Sequence, residues 1–214
     1  MNTSPSCILR CTISRKMYDT QTTSIKLAAM SHSDRPDPET IVLENGELAA
    51  TAEDVLALFN TLGIHHQTVV HKPLYTVDEA KTVSYDDPGA HTKNLFLRNK
   101  KGRMFLLVVE QDHIVNLRGL RDRLKMTGGQ FAFASTERLG KFLGVVPGSV
   151  SPLALINDHG GAVQVFFQHS ILAHEWIYLH PCRNTHSTRV QTVDLLKLLD
   201  YWNHPVTQID FDSE

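Results

Sequence analysis

The chain has 214 residues, of which 42% are hydrophobic and 21% are charged. These values are typical of a globular protein and exclude disorder along the whole chain. The net charge of −2 argues against a protein that coats nucleic acid nonspecifically. The cysteines, Cys7, Cys11 and Cys182, are too few for a disulfide framework or a paired-cysteine zinc site. No apolar run is long enough to span a bilayer, so we expect a soluble cytoplasmic protein with no membrane partner.

The first 33 residues differ from the rest of the chain. Eleven of them are Ser or Thr, and their basic residues face a single acidic residue, Asp19. Such a composition resembles an organellar transit peptide, but a disordered tail or sequence upstream of a later start at Met30 fits it equally. Residues 34–40 form a proline-rich acidic linker. We therefore expect residues 1–45 to be a transit-like or disordered extension, with a mitochondrion or another organelle as the alternative location.

Helix signals recur along the rest of the chain. Thr51 and Asp54 form a capping pattern before an apolar periodicity that stops at Gly63, which predicts the first helix. Further helices are predicted over residues 76–80, 117–124 and 135–144, and from a capping Thr192 onward.

Strand signals lie between the helices. Strands are predicted over residues 66–71, 94–98, 103–109, 131–134, 153–156, 162–167, 176–180 and 188–191. Residues 99–102 join two of these strands as a hairpin, with Gly102 at the position that needs positive φ. Strands and helices mix without strict βαβ order. The pattern therefore favours the α+β class with one mixed sheet over a doubly wound parallel sheet.

Residues 93–125 are strongly basic, with nine Lys or Arg against three acidic residues. The sequence offers this excess no obvious internal partner, so the segment could follow a phosphate backbone. A solvated helix face and a lysine-rich hairpin tip explain the same charges. The candidate contacts to nucleic acid are Arg98, Lys100, Arg121 and Arg123.

A polar segment leads into the first strand of the predicted hairpin. After the Pro88-Gly89 turn come Thr92, Lys93 and Asn94, directly before an apolar run. A cation and an amide at such a junction would face a cleft from a rigid edge. An ordinary polar strand start has the same pattern.

Two later loops carry further candidate binding residues. Gly148, Ser149 and Pro152 belong to a small loop whose backbone N–H groups could hold a carbonyl or a ribose hydroxyl, although a plain connection fits as well. His180 ends a strand before a proline, and Asn184 follows it; a lone histidine at such a place is more often structural.

Common cofactor and catalytic motifs are absent from the sequence. There is no GxGxxG, P-loop, HExxH or GxSxG pattern. His65, His66 and His71 lack a nearby carboxylate or cysteine partner, so surface histidines explain them better than a metal site. We expect no cofactor and no metal.

Together the three polar segments, PGAHTKNLFL, GVVPGSVSPLALIND and LHPCRNT, resemble the YbaK/prolyl-tRNA synthetase-associated editing domain family. The nearest branch is the freestanding PrdX or ProX type, which deacylates Ala-tRNA(Pro). The resemblance implies a single α+β domain at residues 46–206, with a curved mixed sheet flanked by helices and a tail at 207–214. It also implies a partner in the acceptor end of tRNA(Pro), and prolyl-tRNA synthetase or a synthetase complex as a further partner.

The resemblance also implies roles for individual residues. Lys93 and Asn94 match the family's essential pair, while Gly148 and Pro152 match its GxxxP motif. His180 matches the pocket histidine. The same segments make Thr92, Ser149 and Asn184 candidate substrate contacts.

The scissile bond of such a substrate is an activated ester, so positioning and electrostatics can suffice for hydrolysis. Lys93 would neutralise the terminal phosphate or the developing oxyanion, and Asn94 with backbone N–H groups near Gly148 would orient the ester. A ribose hydroxyl would help to activate water. The wall at His180 would admit alanine and exclude the ring of proline. A mechanism with Cys182 as nucleophile is the alternative.

Other functions fit the same segments. Cys182 and His186 depart from the family pattern beside the pocket segment, which leaves substrate breadth open. The alternatives are a deacylase for Cys-tRNA(Pro) or for several small residues, and a noncatalytic adaptor of a synthetase complex.

Overall fold

The computed structural model describes residues 41–75, 77–83 and 85–211. The helices are α1 (Ala52–Leu62), α2 (Val77–Ala80), α3 (Leu117–Arg123), α4 (Thr136–Arg138) and α5 (Thr192–Tyr201), with a π-helix at Leu139–Leu143 and 3-10 helices at Pro152–Asn157 and His169–Ala173. The strands are β1 (His66–Val70), β2 (Ala90–Arg98), β3 (Met104–Glu110), β4 (Ala132–Phe133), β5 (Val163–Gln168), β6 (Trp176–Leu179), β7 (His186–Gln191) and β8 (Val206–Ile209). The predicted transit-like segment, residues 1–33, lies outside the described residues.

The described strands form one mixed sheet. Its order is β1-β7-β6-β2-β3-β5-β8, and β4 pairs with β2 beside this path. The β2–β6, β3–β5 and β5–β8 pairs are parallel, whereas β1–β7, β6–β7, β2–β3 and β2–β4 are antiparallel. The predicted α+β class and mixed sheet are confirmed. Among the described residues, no helix has the length and hydrophobicity that crossing a bilayer requires.

Strand β3 lies at the centre of the fold because its apolar run is buried on both faces. Its even-numbered residues, such as Leu106, belong to the larger core with α1 and α5, while odd-numbered ones, such as Leu107, pack with α3 in a second core. Successive side chains of a strand point to opposite faces. A continuous apolar run is therefore what a strand covered on both sides requires.

The predicted hairpin between β2 and β3 is confirmed. Gly102 has φ of +79°, and the Asn99 side-chain oxygen accepts from the backbone N–H groups of Lys101 and Arg103 at 3.0 and 3.1 Å. This turn sets a register in which Lys93 lies opposite Val109.

Two local predictions were wrong. Residues 153–156 form a 3-10 helix rather than a strand, because Pro152 begins it and the Ser151 hydroxyl accepts from the Leu153 N–H at 3.2 Å. Thr192 does not cap α5 but is its first residue. Its hydroxyl donates instead to the carbonyl of His174 at 2.6 Å.

The predicted ends of the domain also move outward. Ile41 and Leu43 are buried with Ala49 in a small cluster, although the sequence placed them in the extension. At the other end, strand β8 extends to a buried Ile209, inside the predicted tail. The folded unit therefore begins at or before residue 41 and includes at least residue 209.

Candidate active site

The edge of strand β2 opens in its middle. Ala90 and His91 pair with β6, and Leu97 and Arg98 pair with β4. Between them, residues 92–95 have no strand partner on this edge among the described residues. The polar residues that the sequence singled out lie in this gap.

A cavity of about 200 Å³ occupies the gap. Its lining residues come from five separate parts of the chain: Leu74, Tyr75, Val77, Thr92, Lys93, Asn94, Gln111, Gly148, Val150 and His180. The fold thus brings together five residues predicted from separate segments: Thr92, Lys93, Asn94, Gly148 and His180.

The ammonium of Lys93 is held at the cavity wall. Its Nζ donates to the backbone carbonyl of His113 at 2.6 Å, on the loop that follows β3. An ammonium has three N–H donors. One is engaged by His113, so two are available to a ligand in the cavity.

Asn94 contributes a buried polar atom without a partner. Its side-chain Oδ1 is inaccessible to solvent and has no hydrogen-bond partner within the described part of the chain. A buried acceptor left unpaired costs about 1–3 kcal/mol. The residue also lines the cavity, which places an amide group at the cavity wall.

The hydrogen bond of His180 fixes its tautomer. Nδ1 lies 2.8 Å from the backbone carbonyl of His186, which has no proton to donate, so Nδ1 must carry the proton. Burial lowers the pKa of His180. The hydrogen bond to His186 opposes this in part, and the nearby His71 adds a smaller lowering of the pKa. The neutral ring therefore has an acceptor lone pair on Nε2.

Gly148 lets the loop after the π-helix pass close to the cavity wall. Its φ is +92°, and a Cβ there would lie 3.0 Å from the carbonyl oxygen of Leu74 and 3.2 Å from Nδ2 of Asn184. That Asn184 nitrogen donates to the same carbonyl at 3.3 Å, and the Leu74 N–H donates to the Asn184 carbonyl at 3.1 Å. Asn184 thus lies behind the wall and holds it in place, outside the cavity lining.

Ser149 and Pro152 also lie outside the lining. Both are buried, and the N–H of Ser149 donates to the carbonyl of Val146 at 3.0 Å. This N–H is therefore not free to hold a substrate carbonyl. Pro152 shapes the loop by beginning the 3-10 helix.

The basic residues are not a uniform phosphate track. Arg121 forms an ion pair with the neighbouring Asp122, and Arg123 donates to the carbonyl of Asp210. The expectation that these arginines lack internal partners was wrong. Arg98 is half-buried at the end of β2, and Lys100 is exposed at the hairpin tip.

Cys182 is unsuited to act as a nucleophile. It is fully buried, and burial raises the pKa of its thiol to about 12. A protonated thiol is a poor nucleophile, so the cysteine alternative is wrong. His186 does not line the cavity, and its Nδ1 lies 2.8 Å from the Thr185 hydroxyl. Within residues 41–75, 77–83 and 85–211, no three His, Cys, Asp or Glu residues are grouped as a metal site.

Gln111 is a lining residue that the sequence analysis missed. Its N–H donates to the His91 carbonyl at 3.0 Å, which continues the β2–β3 pairing beyond the strand. The β2–β3 register, extended one pair beyond Thr92 and Glu110, places Gln111 opposite His91. Leu74, Val77 and Val150 reach the cavity only through long-range folding, and no local pattern indicates them.

Comparison with known families places the chain in one class. The model of the aminoacyl-tRNA editing domain matches residues 71–198, and this range contains all the lining residues of the cavity. The chain belongs to the aminoacyl-tRNA editing domain family, a family of hydrolases that act on aminoacyl-tRNA.

Individual relatives support this assignment. The prolyl-tRNA editing protein ProX of Acetoanaerobium sticklandii is 32% identical over 146 residues, covering 68% of this chain and 88% of the relative. The prolyl-tRNA synthetase associated domain-containing protein 1 of Bos taurus is 32% identical over 174 residues, covering 80% and 99%.

Solved structures share the fold at lower identity. Hypothetical protein APE2540 aligns with a TM-score of 0.55 and 18% identity, covering 72% of this chain and 97% of that one. A structure provisionally described as a trans-editing enzyme for prolyl tRNA synthetase aligns with a TM-score of 0.56 and 19% identity, covering 77% and 99%.

Proposed function

We propose that this protein is a trans-editing deacylase that hydrolyses mischarged Ala-tRNA(Pro). The observation that carries the proposal is the small cavity in the gap of β2, where Lys93, Asn94 and His180 converge. Its volume of about 200 Å³ suits a small aminoacyl group. The ProX relative, named for prolyl-tRNA editing, supports the choice of tRNA.

The reaction is ester hydrolysis at the end of the tRNA. A water oxygen attacks the ester carbonyl carbon, and negative charge develops on the carbonyl oxygen. The bond from this carbon to the ribose oxygen then breaks, and the ribose oxygen leaves as a hydroxyl after gaining a proton. The products are free alanine and tRNA(Pro).

Lys93 stabilises the developing oxyanion. Its ammonium is already held by His113 at 2.6 Å, so little reorganisation is needed when the charge appears. Preorganised electrostatic stabilisation of this kind usually contributes more than any other effect to acyl-transfer catalysis, at about 10²–10³ in rate for one donor.

Asn94 and His180 position the ester and the attacking water. The Asn94 amide lies at the cavity wall and orients the ester in the cavity. The acceptors for the proton of the attacking water are the neighbouring ribose hydroxyl and Nε2 of His180. The bond to His186 places the ring proton on Nδ1, which leaves the lone pair on Nε2.

Size determines which amino acid enters. Leu74, Val77 and Val150 form apolar walls, and Gly148 adds no side chain. An apolar pocket distinguishes one methylene by only about 1–3 kcal/mol, which is why a synthetase that misactivates alanine needs a second sieve. The proposal requires these walls to exclude the ring of proline by their shape, so that the correct product is spared.

Lys100 and Arg98 are the remaining candidates for contact with the tRNA acceptor stem, because Arg121 and Arg123 have internal partners. A Lys100→Glu change then raises KM with little effect on kcat. It also flattens the slope of log affinity against log salt by about 0.7–0.9. An unchanged salt slope would remove Lys100 from the tRNA interface.

A deacylation panel tests the proposal. The whole chain is incubated with tRNA(Pro) charged with alanine, cysteine, serine or proline, and the loss of the ester is followed. The proposal requires alanine to be removed fastest. Equal removal of cysteine and serine would indicate a broader deacylase, and no removal of any residue would indicate a noncatalytic adaptor.

A further inference from the structure

A second, larger cavity lies next to the first. It has a volume of about 490 Å³, and the residues that matter for its chemistry are Lys81, Tyr85, His91, Glu110, Gln111 and Asp112. Gln111 lines both cavities, so the two are adjacent and share one wall. Gly89, Ala90 and His91 of the PGAHTKNLFL segment line this second cavity, but no role was predicted for them from the sequence.

The two cavities are aligned along strand β2. His91 lines the larger cavity, and Lys93 lines the smaller one. Residues two apart on a strand point to the same face at a separation of about 7 Å. One ligand can therefore reach both residues, with a small group beside Lys93 and a larger group beside His91.

The larger cavity has a fixed aromatic wall. The ring of His91 stacks on Tyr178 with 4.8 Å between centroids and an interplanar angle of 3°, and Tyr85 packs against both rings. The hydroxyl of Tyr178 donates to the Asp87 carbonyl at 2.9 Å, and that of Tyr85 donates to Ser187 at 3.1 Å. These bonds hold the rings in place before any ligand binds.

His91 itself has unused hydrogen-bonding capacity. Its ring is half-buried, and burial lowers the pKa of the ring, so the imidazole is neutral at neutral pH. No hydrogen bond joins its ring nitrogens to another described residue. Aromatic stacking together with a free donor and acceptor is the chemistry that recognises a nucleobase.

The charges of the larger cavity favour an uncharged ligand. Asp112 forms an ion pair with Lys81, whereas Glu110 has only the hydroxyl of Ser170, at 2.6 Å, as its side-chain partner among the described residues. One carboxylate therefore has no balancing cation within the described part of the chain. This carboxylate can accept hydrogen bonds from an exocyclic amine or from ribose hydroxyls.

We propose that this larger cavity binds the 3′-terminal adenosine of the aminoacyl-tRNA, with its base against His91 and its esterified ribose directed toward Gln111 and Lys93. The inference rests on the proposed function, since the adenosine and the aminoacyl group are the two sides of one ester. This assignment explains why the two cavities differ in size and why they share a wall at Gln111.

Two small esters test the assignment without the body of the tRNA. The alanyl ester of adenosine contains the proposed ligand, and alanine methyl ester lacks it. The measured quantity is the ratio of kcat/KM for the adenosine ester to that for the methyl ester. We expect His91→Ala to lower this ratio about tenfold, the size of one base–aromatic stack.

The matched control is His66→Ala. His66 is also a half-buried strand histidine. It lies on β1, and strands β7 and β6 separate it from β2, which carries His91. It should keep the parental ratio. A second variant, Ala80→Trp, adds a bulky side chain at a lining residue on α2, leaves His91 unchanged and should also lower the ratio.

The outcomes separate this inference from the proposed function. If the parent protein hydrolyses neither ester nor Ala-tRNA(Pro), the proposed function fails. If the parent prefers the adenosine ester and both His91→Ala and Ala80→Trp keep that preference, the function stands and the cavity assignment is overturned. Calorimetric titration gives a further readout: adenosine should bind the parent and lose about tenfold in affinity in His91→Ala, while tight binding of inorganic phosphate there would contradict the assignment.

Discussion

Nζ of Lys93 donates a hydrogen bond to the backbone carbonyl of His113 at 2.6 Å, and this contact joins the open segment of β2 to the loop after β3. Lys93 lies on β2, and His113 follows the end of β3, the antiparallel neighbour whose register with β2 is set by the hairpin turn. The position of the ammonium therefore follows from the fold of the hairpin, before any substrate is bound.

Replacement of Lys93 by alanine should abolish most of the hydrolysis without unfolding the protein. The loss of a preorganised positive charge predicts a fall in kcat/KM of about 10²–10³. The lost hydrogen bond should reduce stability by no more than about 1.5–3 kcal/mol. Deacylation rates and thermal melting of the variant and the parent measure the two effects.

The control for this change is Lys197→Ala, which removes an exposed lysine from α5. It should retain the parental turnover at saturating tRNA. Near-parental activity in Lys93→Ala would remove Lys93 from the mechanism.

Activity should fall on the acid side of neutrality because His180 must be neutral. Burial lowers the pKa of His180 below its ordinary value of 6.5. Above the lowered pKa the ring is neutral and Nε2 can accept a proton. We therefore expect kcat/KM to decline as the pH falls through the lowered pKa. The free energy of unfolding changes in the same direction. The contribution of His180 to it is complete above pH 6.5 and decreases as the pH falls toward the folded-state pKa.

A pH–rate profile of His180→Gln tests this role. The acid limb of the parent should disappear in the variant, together with much of the activity. His169→Gln, at an exposed histidine, should keep the acid limb. An unaltered limb in His180→Gln would show that another group titrates.

Alanine at position 148 should impair both the fold and the cavity. The φ of +92° is unfavourable for an L-residue, and the new Cβ would meet the Leu74 carbonyl at 3.0 Å. We expect a stability loss of about 1–3 kcal/mol and a raised KM, because Leu74 and the loop must move apart. Gly160→Ala is the matched control, since its Cβ would meet nothing within 4 Å. Equal stability of the two variants would show that position 148 tolerates a side chain.

The boundary of the folded unit can be tested by shortening the chain. A chain that begins at Ile41 should retain parental activity and stability. One that begins at residue 46 loses Ile41 and Leu43 from their buried cluster and should lose about 1.5–3 kcal/mol for each fully buried side chain. Equal melting temperatures for the two chains would place the boundary at residue 45 after all.

Much of the fold could be predicted from local signals. The capping box at Thr51 and Asp54 forms as the sequence indicates, and the turn at Gly102 sets the β2–β3 register. Strand β8 was missed because its four residues, VTQI, alternate too weakly. Its strand character comes from pairing with β5. Residues 153–156 were misassigned because a short apolar run fits a buried helix as well as a strand.

Only part of the candidate site could be predicted from the sequence. The roles of Lys93, Asn94 and His180 were predicted only through the resemblance of their segments to the editing-domain family. The expected loop-to-strand junction at Lys93 and Asn94 was wrong, because β2 begins at Ala90 and both residues lie inside it. The placement of Asn184 behind the wall depends on a contact with Leu74, 110 residues away, which no local pattern shows. The partners of Arg121 and Arg123 were missed because a count of charges contains no geometry.

The central claim is that a small cavity beside Lys93 removes alanine from tRNA(Pro) and spares proline. The most direct measurement is single-turnover hydrolysis of Ala-tRNA(Pro) and Pro-tRNA(Pro), each with the whole chain in excess. We predict that the alanyl ester is hydrolysed at least about tenfold faster than the prolyl ester, the discrimination that pocket size allows. Equal rates for the two esters, or no hydrolysis of the alanyl ester, would contradict this claim.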